Sequence, residues 1–170
     1  LPAALRDRVT LAAIGGPCIA GELAGRRQTC VVFTSRDAAA LARLRATFAT
    51  DYYHIWTSTD IIGVETCAAL KNAYTVAVGM AAGLLDRAGG PDEAAAAMHN
   101  PAAALFGASA REMTRIVALM GGGPENVAWL PGVGDQYVTC AGGRTIRLGR
   151  LLGAGAEQHF KNHHRQHRRA

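Results

Sequence analysis

The sequence has 170 residues, of which 49% are hydrophobic and 18% charged, enough apolar material for one core and part of a second. The aromatic share of 6% is too low to favour a stacking platform for nucleic-acid bases. The net charge of +5 comes mainly from the last twelve residues, which contain no acid and four bases, Lys161, Arg165, Arg168 and Arg169. The rest of the chain is close to neutral, so we expect no nucleic-acid partner.

The cysteine spacing and the longest apolar segment indicate the compartment. There are four widely spaced cysteines without a CxxC pair, Cys18, Cys30, Cys67 and Cys140. This spacing is typical of free thiols in a reducing compartment, so we expect a cytoplasmic protein. Residues 61–85 are apolar enough to suggest a membrane span, but Glu65, Lys71 and Asn72 lie near their start. We therefore expect no membrane insertion.

The first 60 residues alternate between strand and helix patterns. Short runs rich in β-branched residues predict strands at 9–14 and 29–34, with a third at 52–56. A helix is predicted from Pro17 to Arg26, and Ser35 is predicted to cap a helix from Arg36 to Phe48. This order of elements is typical of an α/β sheet.

After Asp60 the pattern becomes helical. Helices are predicted from Ile62 to Asp86 and from Pro101 to Met120, each followed by glycine and proline. A glycine-rich stretch at 130–143 leads into a last predicted helix at 144–152. Because three strands alone would leave an open sheet edge, we expect part of a larger protein. Its regions are an incomplete α/β domain at 1–60, a helical domain at 61–155 and a disordered basic tail at 156–170.

Lys71 is the single charged side chain between Thr66 and Leu85. Burying an ammonium group costs on the order of several kcal/mol unless the charge is paired or the group loses its proton. Lys71 is therefore a candidate for proton chemistry. The alternative is a lysine whose stem covers apolar neighbours while its ammonium group stays in water.

Four short motifs follow one another along the chain: GGPCIA at 15–20, GVE and ALKN within 63–72, GVGD and TC within 132–140, and GGR at 142–144. In this combination and order they resemble the NAD(P)-dependent glycerol-3-phosphate dehydrogenases, most closely the soluble bacterial type. The resemblance covers residues 10–155. It implies the C-terminal strands of a Rossmann-type domain followed by a mostly helical substrate-binding domain. It also implies an oxidoreductase that interconverts sn-glycerol 3-phosphate and dihydroxyacetone phosphate with NAD or NADP.

The resemblance implies a role for each matching polar residue. Lys71 matches the general acid/base of the family, and a lysine with a lowered pKa can exchange protons near neutral pH. Asn72 is expected to hold substrate oxygens. Asp135 and Thr139 match residues around the substrate and the lysine, where an aspartate can orient an ammonium group by charge-assisted hydrogen bonds.

The GGR motif is expected to bind phosphate. Arg144 matches the arginine that the family uses for the substrate phosphate and the cofactor, and Gly143 lets the backbone approach the ligand. Thr145 stands where the family has asparagine, and a hydroxyl in place of an amide weakens this grip.

The first motif is expected to lie near substrate and nicotinamide. Gly16 and Cys18 match substrate-binding positions, with cysteine in place of the usual serine, and Ala20 matches a cofactor contact. The glycine-rich dinucleotide fingerprint is absent, so the sequence does not distinguish NAD from NADP.

Each motif also has an ordinary structural interpretation. Gly15-Gly16-Pro17 is compatible with a simple strand-to-helix turn, Asp135 with a turn cap, Thr139 with a strand or loop hydroxyl and Arg144 with a solvated first-turn residue. For the whole chain the alternative is a non-catalytic remnant, a helical interaction module without the cofactor half. A dehydrogenase of another sugar phosphate or hydroxy acid is a weaker alternative.

The expected partners are a small phosphorylated substrate and, as a candidate, a second copy of the chain. Four of the six histidines lie in the last twelve residues. Three of them, His159, His163 and His167, would share one face of a helix and bind a metal adventitiously. We expect no structural metal.

Overall fold

The computed structural model describes residues 2, 5, 8–89 and 99–155, so the predicted tail at 156–170 lies outside the described residues. The chain forms two compact units. The first comprises Leu1–Lys71 and Ala110–Val138, and the second comprises Asn72–Ser109 and Thr139–Ala170. These units do not follow the division predicted at residue 60. The assignment of a cofactor domain and a substrate domain therefore stays a prediction.

A small sheet followed by helices confirms the predicted fold class. The elements in chain order are β1 (Ala13–Gly15), α1 (Ala20–Ala24), β2 (Thr29–Thr34), α2 (Ala38–Phe48), β3 (Tyr53–Ser58), α3 (Ile61–Gly89), α4 (His99–Leu119), a 3-10 turn (Pro124–Asn126), a π-helical turn (Leu130–Gly134), α5 (Asp135–Gly142) and α6 (Arg144–Gly153). The long helices were thus predicted to within three residues at each end.

β2 is the central strand of a sheet with the order β1-β2-β3. β2 and β3 are parallel and joined by α2, whereas β1 is antiparallel to β2. The five residues of α1 are too few to carry the chain across the sheet, which a parallel connection would require. The ladder between β1 and β2 ends where Ala13 pairs with Thr34. Residues 9–12 lie outside the strand, so the strand predicted at 9–14 began four residues too early.

The cap of α2 was predicted at the wrong residue. Asp37 precedes the helix and accepts hydrogen bonds from the backbone N–H groups of Ala39 and Ala40, at 2.8 and 3.1 Å. The hydroxyl of Ser35 instead donates to the carbonyl oxygen of Leu11 at 2.7 Å. Its oxygen also accepts a hydrogen bond from the N–H of Asp37 at 3.3 Å, but this N–H belongs to the cap residue and not to the first turn of α2.

Two other segments differ from their predictions. The predicted helix at 17–26 is reduced to α1, because glycines within this stretch lower its helix propensity. The glycine-rich stretch at 130–143, for which no helix was predicted, is a π-helical turn followed by α5. Pro131 and Gly132 are buried there, and a Cβ on Gly132 would collide with the backbone of Val127. The glycine at 132 therefore permits close packing and does not mark a loop.

Elements of the first unit cover both faces of the sheet. On one face a core of buried apolar side chains joins the sheet to α2, namely Val31, Phe33, Leu41 and Ile55. On the other face a Cβ added to Gly15 would meet Val64 of α3 at 2.7 Å and Pro131 of the π-helical turn at 3.5 Å. α3 and the π-helical turn therefore pack against the sheet. α3 contains Lys71, and the π-helical turn is followed directly by Asp135.

In the second unit, α3 and α6 approach each other through glycines. A Cβ on any of them would collide with backbone of the opposite helix, and the four are Gly79, Gly83, Gly149 and Gly153. Both helices therefore carry a glycine pair with three residues between, which allows backbone-to-backbone packing. Arg150 of α6 also donates to Asp86 of α3 through Nε and a terminal nitrogen, at 2.5 and 2.9 Å.

Among the described residues, α3 is the one helix long and apolar enough to suit a membrane span. Length and composition alone are weak evidence, because the core helix of a soluble protein passes the same test. The absence of membrane insertion therefore stays a prediction.

Candidate functional site

Lys71 and Asp135 form an ion pair within the first unit. The Nζ atom of Lys71 in α3 lies 2.5 Å from Oδ2 of Asp135, the first residue of α5. The Lys71 side chain is 20% exposed and the Asp135 side chain 7%. Two charges this far removed from water are retained at low cost only as a pair. The lysine is therefore neither alone in an apolar helix nor a solvated edge residue.

The carboxylate of Asp135 is also held by the backbone after β1. The N–H of Gly16 donates to Oδ2 of Asp135 at 3.3 Å. Gly16 has a φ of +123°, and a Cβ there would approach Cα of Val31 to 3.2 Å. Glycine is required at this position both by the backbone conformation and by the available space. The segment after β1, α3 and α5 thus converge on one carboxylate oxygen.

Cys18 lies near this carboxylate and is exposed. Partial burial of its thiol and, second, the negative charge of Asp135 raise the pKa of Cys18. The thiol is therefore neutral near pH 7 and suits weak hydrogen bonding better than nucleophilic attack. Ala20, the predicted cofactor contact, is the exposed first residue of α1. All four cysteines are free thiols, as their spacing predicted.

The remaining predicted site residues lie in the second unit. Thr139 is in α5, not in a strand or loop as its ordinary interpretation assumed. Its carbonyl oxygen accepts a hydrogen bond from the N–H of Gly143 at 3.1 Å, and a Cβ on Gly143 would come within 2.7 Å of the same oxygen. Gly143 therefore allows a tight junction between α5 and α6.

α6 begins with an exposed arginine. Arg144 is its first residue, and Gly143, in extended conformation, occupies the N-cap without a side-chain cap. The backbone N–H groups of the first turn and the guanidinium group can therefore attract an anion together. Thr145 Oγ1 donates to Oδ1 of Asn72 at 3.5 Å, which links two predicted substrate contacts.

One polar cluster was not predicted from the sequence. The Asp60 carboxylate accepts hydrogen bonds from the backbone N–H groups of Gly63 and Gly123, at 2.9 and 2.7 Å, and from Nδ2 of Asn126 at 2.7 Å. An acidic residue just before a long apolar helix is a recognisable N-cap signal. Nothing in the local sequence indicated that Gly123 and Asn126 would be the other partners of Asp60.

The turn after β2 does not fit the pyrophosphate of a dinucleotide. The parallel β2–α2–β3 unit is the kind of unit that binds one at the turn between its first strand and its helix. Here that turn consists of Ser35, Arg36 and Asp37, without the glycines that let a pyrophosphate approach the backbone. The hydroxyl and carboxylate of this turn are engaged in the bonds described above. The described part of the chain likewise contains no group of three metal-binding side chains.

The fold and the ion pair together define an α/β protein with a helical second part and a candidate proton-transfer site. The family profile described as NAD-dependent glycerol-3-phosphate dehydrogenase C-terminus matches residues 60–168. The chain belongs to this family, as its motifs predicted.

Individual relatives agree with this assignment. The NADP(+)-dependent glycerol-3-phosphate dehydrogenase of Archaeoglobus fulgidus is 36% identical over 151 residues, which are 89% of this chain and 43% of the relative. The NAD(P)+ enzyme of Geobacter sulfurreducens is 38% identical over 84% of this chain and 40% of its own length. The crystal structure of glycerol-3-phosphate dehydrogenase from Coxiella burnetii superposes with a TM-score of 0.77 at 32% identity, covering 86% of this chain and 42% of that one. The chain thus spans less than half the length of these relatives.

Proposed function

We propose that this chain takes part in the interconversion of sn-glycerol 3-phosphate and dihydroxyacetone phosphate with NAD or NADP. The observation that carries the proposal is the ion pair between Lys71 and Asp135, held by the N–H of Gly16. Family membership supports the reaction class. The cytoplasm is the proposed compartment, and a homodimer is the proposed assembly.

In this proposal Lys71 is the general acid/base. Oxidation of a secondary alcohol requires removal of the hydroxyl proton, and reduction of the ketone requires its return. The Nζ atom of Lys71 is held by Asp135, whose carboxylate is in turn held by Gly16. Because Nζ of Lys71 is already held in place before the reaction, proton transfer requires no reorientation of this group, and this preorganisation contributes to catalysis. Gly16 and the neutral thiol of Cys18 are the proposed substrate contacts beside it.

Arg144 is the proposed phosphate anchor. Its guanidinium fork can bind two phosphate oxygens, and the uncapped first turn of α6 presents backbone N–H groups. Asn72, Thr139, Gly143 and Thr145 are the proposed surroundings of the substrate. The link between Thr145 and Asn72 shows that a hydroxyl at 145 still reaches the amide at 72.

The dinucleotide requires other residues. Because the turn after β2 does not fit a pyrophosphate, we assign its binding to the part of the longer relatives that this chain does not match. Ala20 and Arg144 are proposed contacts on the nicotinamide side only. When bound, the cofactor would supply the hydride chemistry, and this chain the proton and phosphate contacts.

The experiment is to join this chain to the part of the Archaeoglobus fulgidus relative that it does not match. Oxidation of NADH and NADPH with dihydroxyacetone phosphate is then measured. We expect Lys71→Ala to lower kcat by about a thousandfold, the usual scale for loss of a general acid/base. Lys71→Ala with normal turnover, in a folded protein, would reject the proposed role.

A second comparison tests the phosphate anchor. Arg144→Ala is expected to raise KM for dihydroxyacetone phosphate by about a hundredfold, but not KM for unphosphorylated dihydroxyacetone. Arg147→Ala is the matched control, because Arg147 is an exposed arginine one turn further along α6. Equal changes for both substrates would exclude phosphate recognition by Arg144.

The turn after β2, which does not fit a dinucleotide, favours one alternative, a non-catalytic module. This alternative predicts that the joined protein has no lysine-dependent turnover while the chain still folds. The weaker alternative is a dehydrogenase that acts on a different substrate. It predicts that a hydroxy acid or another sugar phosphate, measured in the same assay, is turned over faster than dihydroxyacetone phosphate.

A further inference from the structure

The Asp60 carboxylate connects two segments of the first unit. It accepts a hydrogen bond from Gly63, three residues later, and thereby caps the N-terminus of α3. It also accepts from Gly123 and Asn126, more than sixty residues further along the chain. Asn126 is 3% exposed, and its amide donates to the Gly123 carbonyl oxygen as well, at 3.1 Å. One carboxylate thus binds the helix start to the segment at 123–126.

The two segments are also in direct backbone contact. A Cβ added to Gly122 would lie 2.6 Å from the nitrogen of Gly63, and one added to Gly63 would lie 2.6 Å from Nδ2 of Asn126. Neither glycine accepts a side chain without displacing the other segment. The hydrogen bonds of Asp60 therefore lie where the start of α3 and the segment at 122–126 are closely packed, so that neither can shift without a clash.

Each segment leads to one member of the ion pair. Lys71 lies about three turns into α3, the helix that Asp60 caps. On the other side, Val127 follows Asn126 directly, is 2% exposed, and accepts a hydrogen bond from Val133 at 2.8 Å. This bond closes the turn that ends immediately before Asp135. Asp60 is therefore connected to Lys71 by a regular helix and to Asp135 by a hydrogen-bonded turn.

We propose that Asp60 is a positioning residue, whose carboxylate sets α3 against the 123–135 segment and so holds Asp135 against Lys71. The inference rests on the proposed function insofar as the pair transfers a proton. The geometric claim can be tested without turnover.

The test uses the reactivity of the lysine. The sequence has two lysines, Lys71 and Lys161, so acetylation by acetic anhydride can be followed for each by mass spectrometry, with Lys161 as internal reference. Asp60→Ser is the variant of choice, because serine retains N-capping but is too short to reach Gly123 and Asn126. We expect Lys71 to be acetylated about fivefold faster than in the unchanged chain, since about 1 kcal/mol of positioning is lost.

Asp37→Ser is the matched control. Asp37 also caps a helix of the first unit, and its two hydrogen bonds stay within three residues of it. We expect this variant to leave the Lys71 rate unchanged. An unchanged rate in Asp60→Ser, or the same increase in both variants, would overturn the proposal. If Asp60→Ser does not fold, Asn126→Ala is measured in its place, with the same two outcomes.

The two hypotheses fail separately. Normal turnover of Lys71→Ala in the joined protein removes the proposed function and leaves the acetylation result standing. Unchanged acetylation removes the role of Asp60 and leaves the proton-transfer role of Lys71 standing.

Discussion

The two units place their predicted site residues by different means. In the first unit, hydrogen bonds and an ion pair fix buried polar groups, with Asp135 at 7% side-chain exposure between Lys71 and Gly16. In the second unit, glycine-mediated helix packing forms a scaffold that presents Arg144 to solvent. The difference suits the proposed roles. A proton carrier benefits from a fixed, partly dehydrated position, whereas an anion ligand must remain accessible to its substrate.

The largest effect on stability is expected from a substitution that disrupts the packing of α6 against α3 in the second unit. Gly149→Ala places a methyl group against the carbonyl oxygen of Val76, and we expect it to lower the free energy of unfolding by about 3 kcal/mol. Gly107→Ala is the control, because a Cβ there meets nothing within 4 Å. Chemical denaturation measures both, and amide hydrogen exchange locates the loss. Equal stability of the two variants would contradict backbone-to-backbone packing.

A smaller effect is expected when the polar centre of the first unit is broken. Asp135→Asn removes one charge of the ion pair and leaves the ammonium of Lys71 without its carboxylate. We expect a loss of about 2 kcal/mol, below the cost for a fully buried pair because Lys71 retains some exposure. Asp51→Asn, at an exposed acid of the same unit, should change stability by less than about 0.5 kcal/mol. Similar losses for both would show that the pair contributes little.

The smallest expected effect concerns a buried thiol of the first unit. Burial and, second, the negative charge of Asp60 raise the pKa of Cys67 to about 11. The unfolded thiol loses its proton near pH 9.0, so the stability that its neutral form contributes is full below this pH. This contribution is lost as the pH rises from 9.0 towards 11. We expect the free energy of unfolding to decline by about 1 kcal/mol by pH 10.

Cys67→Ala is the variant that isolates this effect, because the other three cysteines remain. Denaturation at pH 8 and pH 10 should show a smaller decline in the variant than in the unchanged chain. An equal decline would assign the pH dependence to other groups.

Much of the fold could be predicted because its signals are local. Apolar periodicity and glycine or proline boundaries predicted α3, α4 and α6 to within a few residues. The errors arose where distant contacts decide. Ser35 has the chemistry of a cap but bonds to Leu11, and glycine at 132 resembles a loop residue but packs against Val127.

The sequence by itself determined the family, the candidate site residues and the unusual position of Lys71, because residue types and their order along the chain suffice for these. The resemblance also placed Asp135 near Lys71, but only the tertiary structure decided that the two side chains pair directly, that Gly16 holds this carboxylate, and that Asp60 joins α3 to the 123–126 segment. Each of these contacts joins residues more than sixty positions apart. Nothing local encodes such a distance, because it is set by the packing of α3 and the π-helical turn on the sheet.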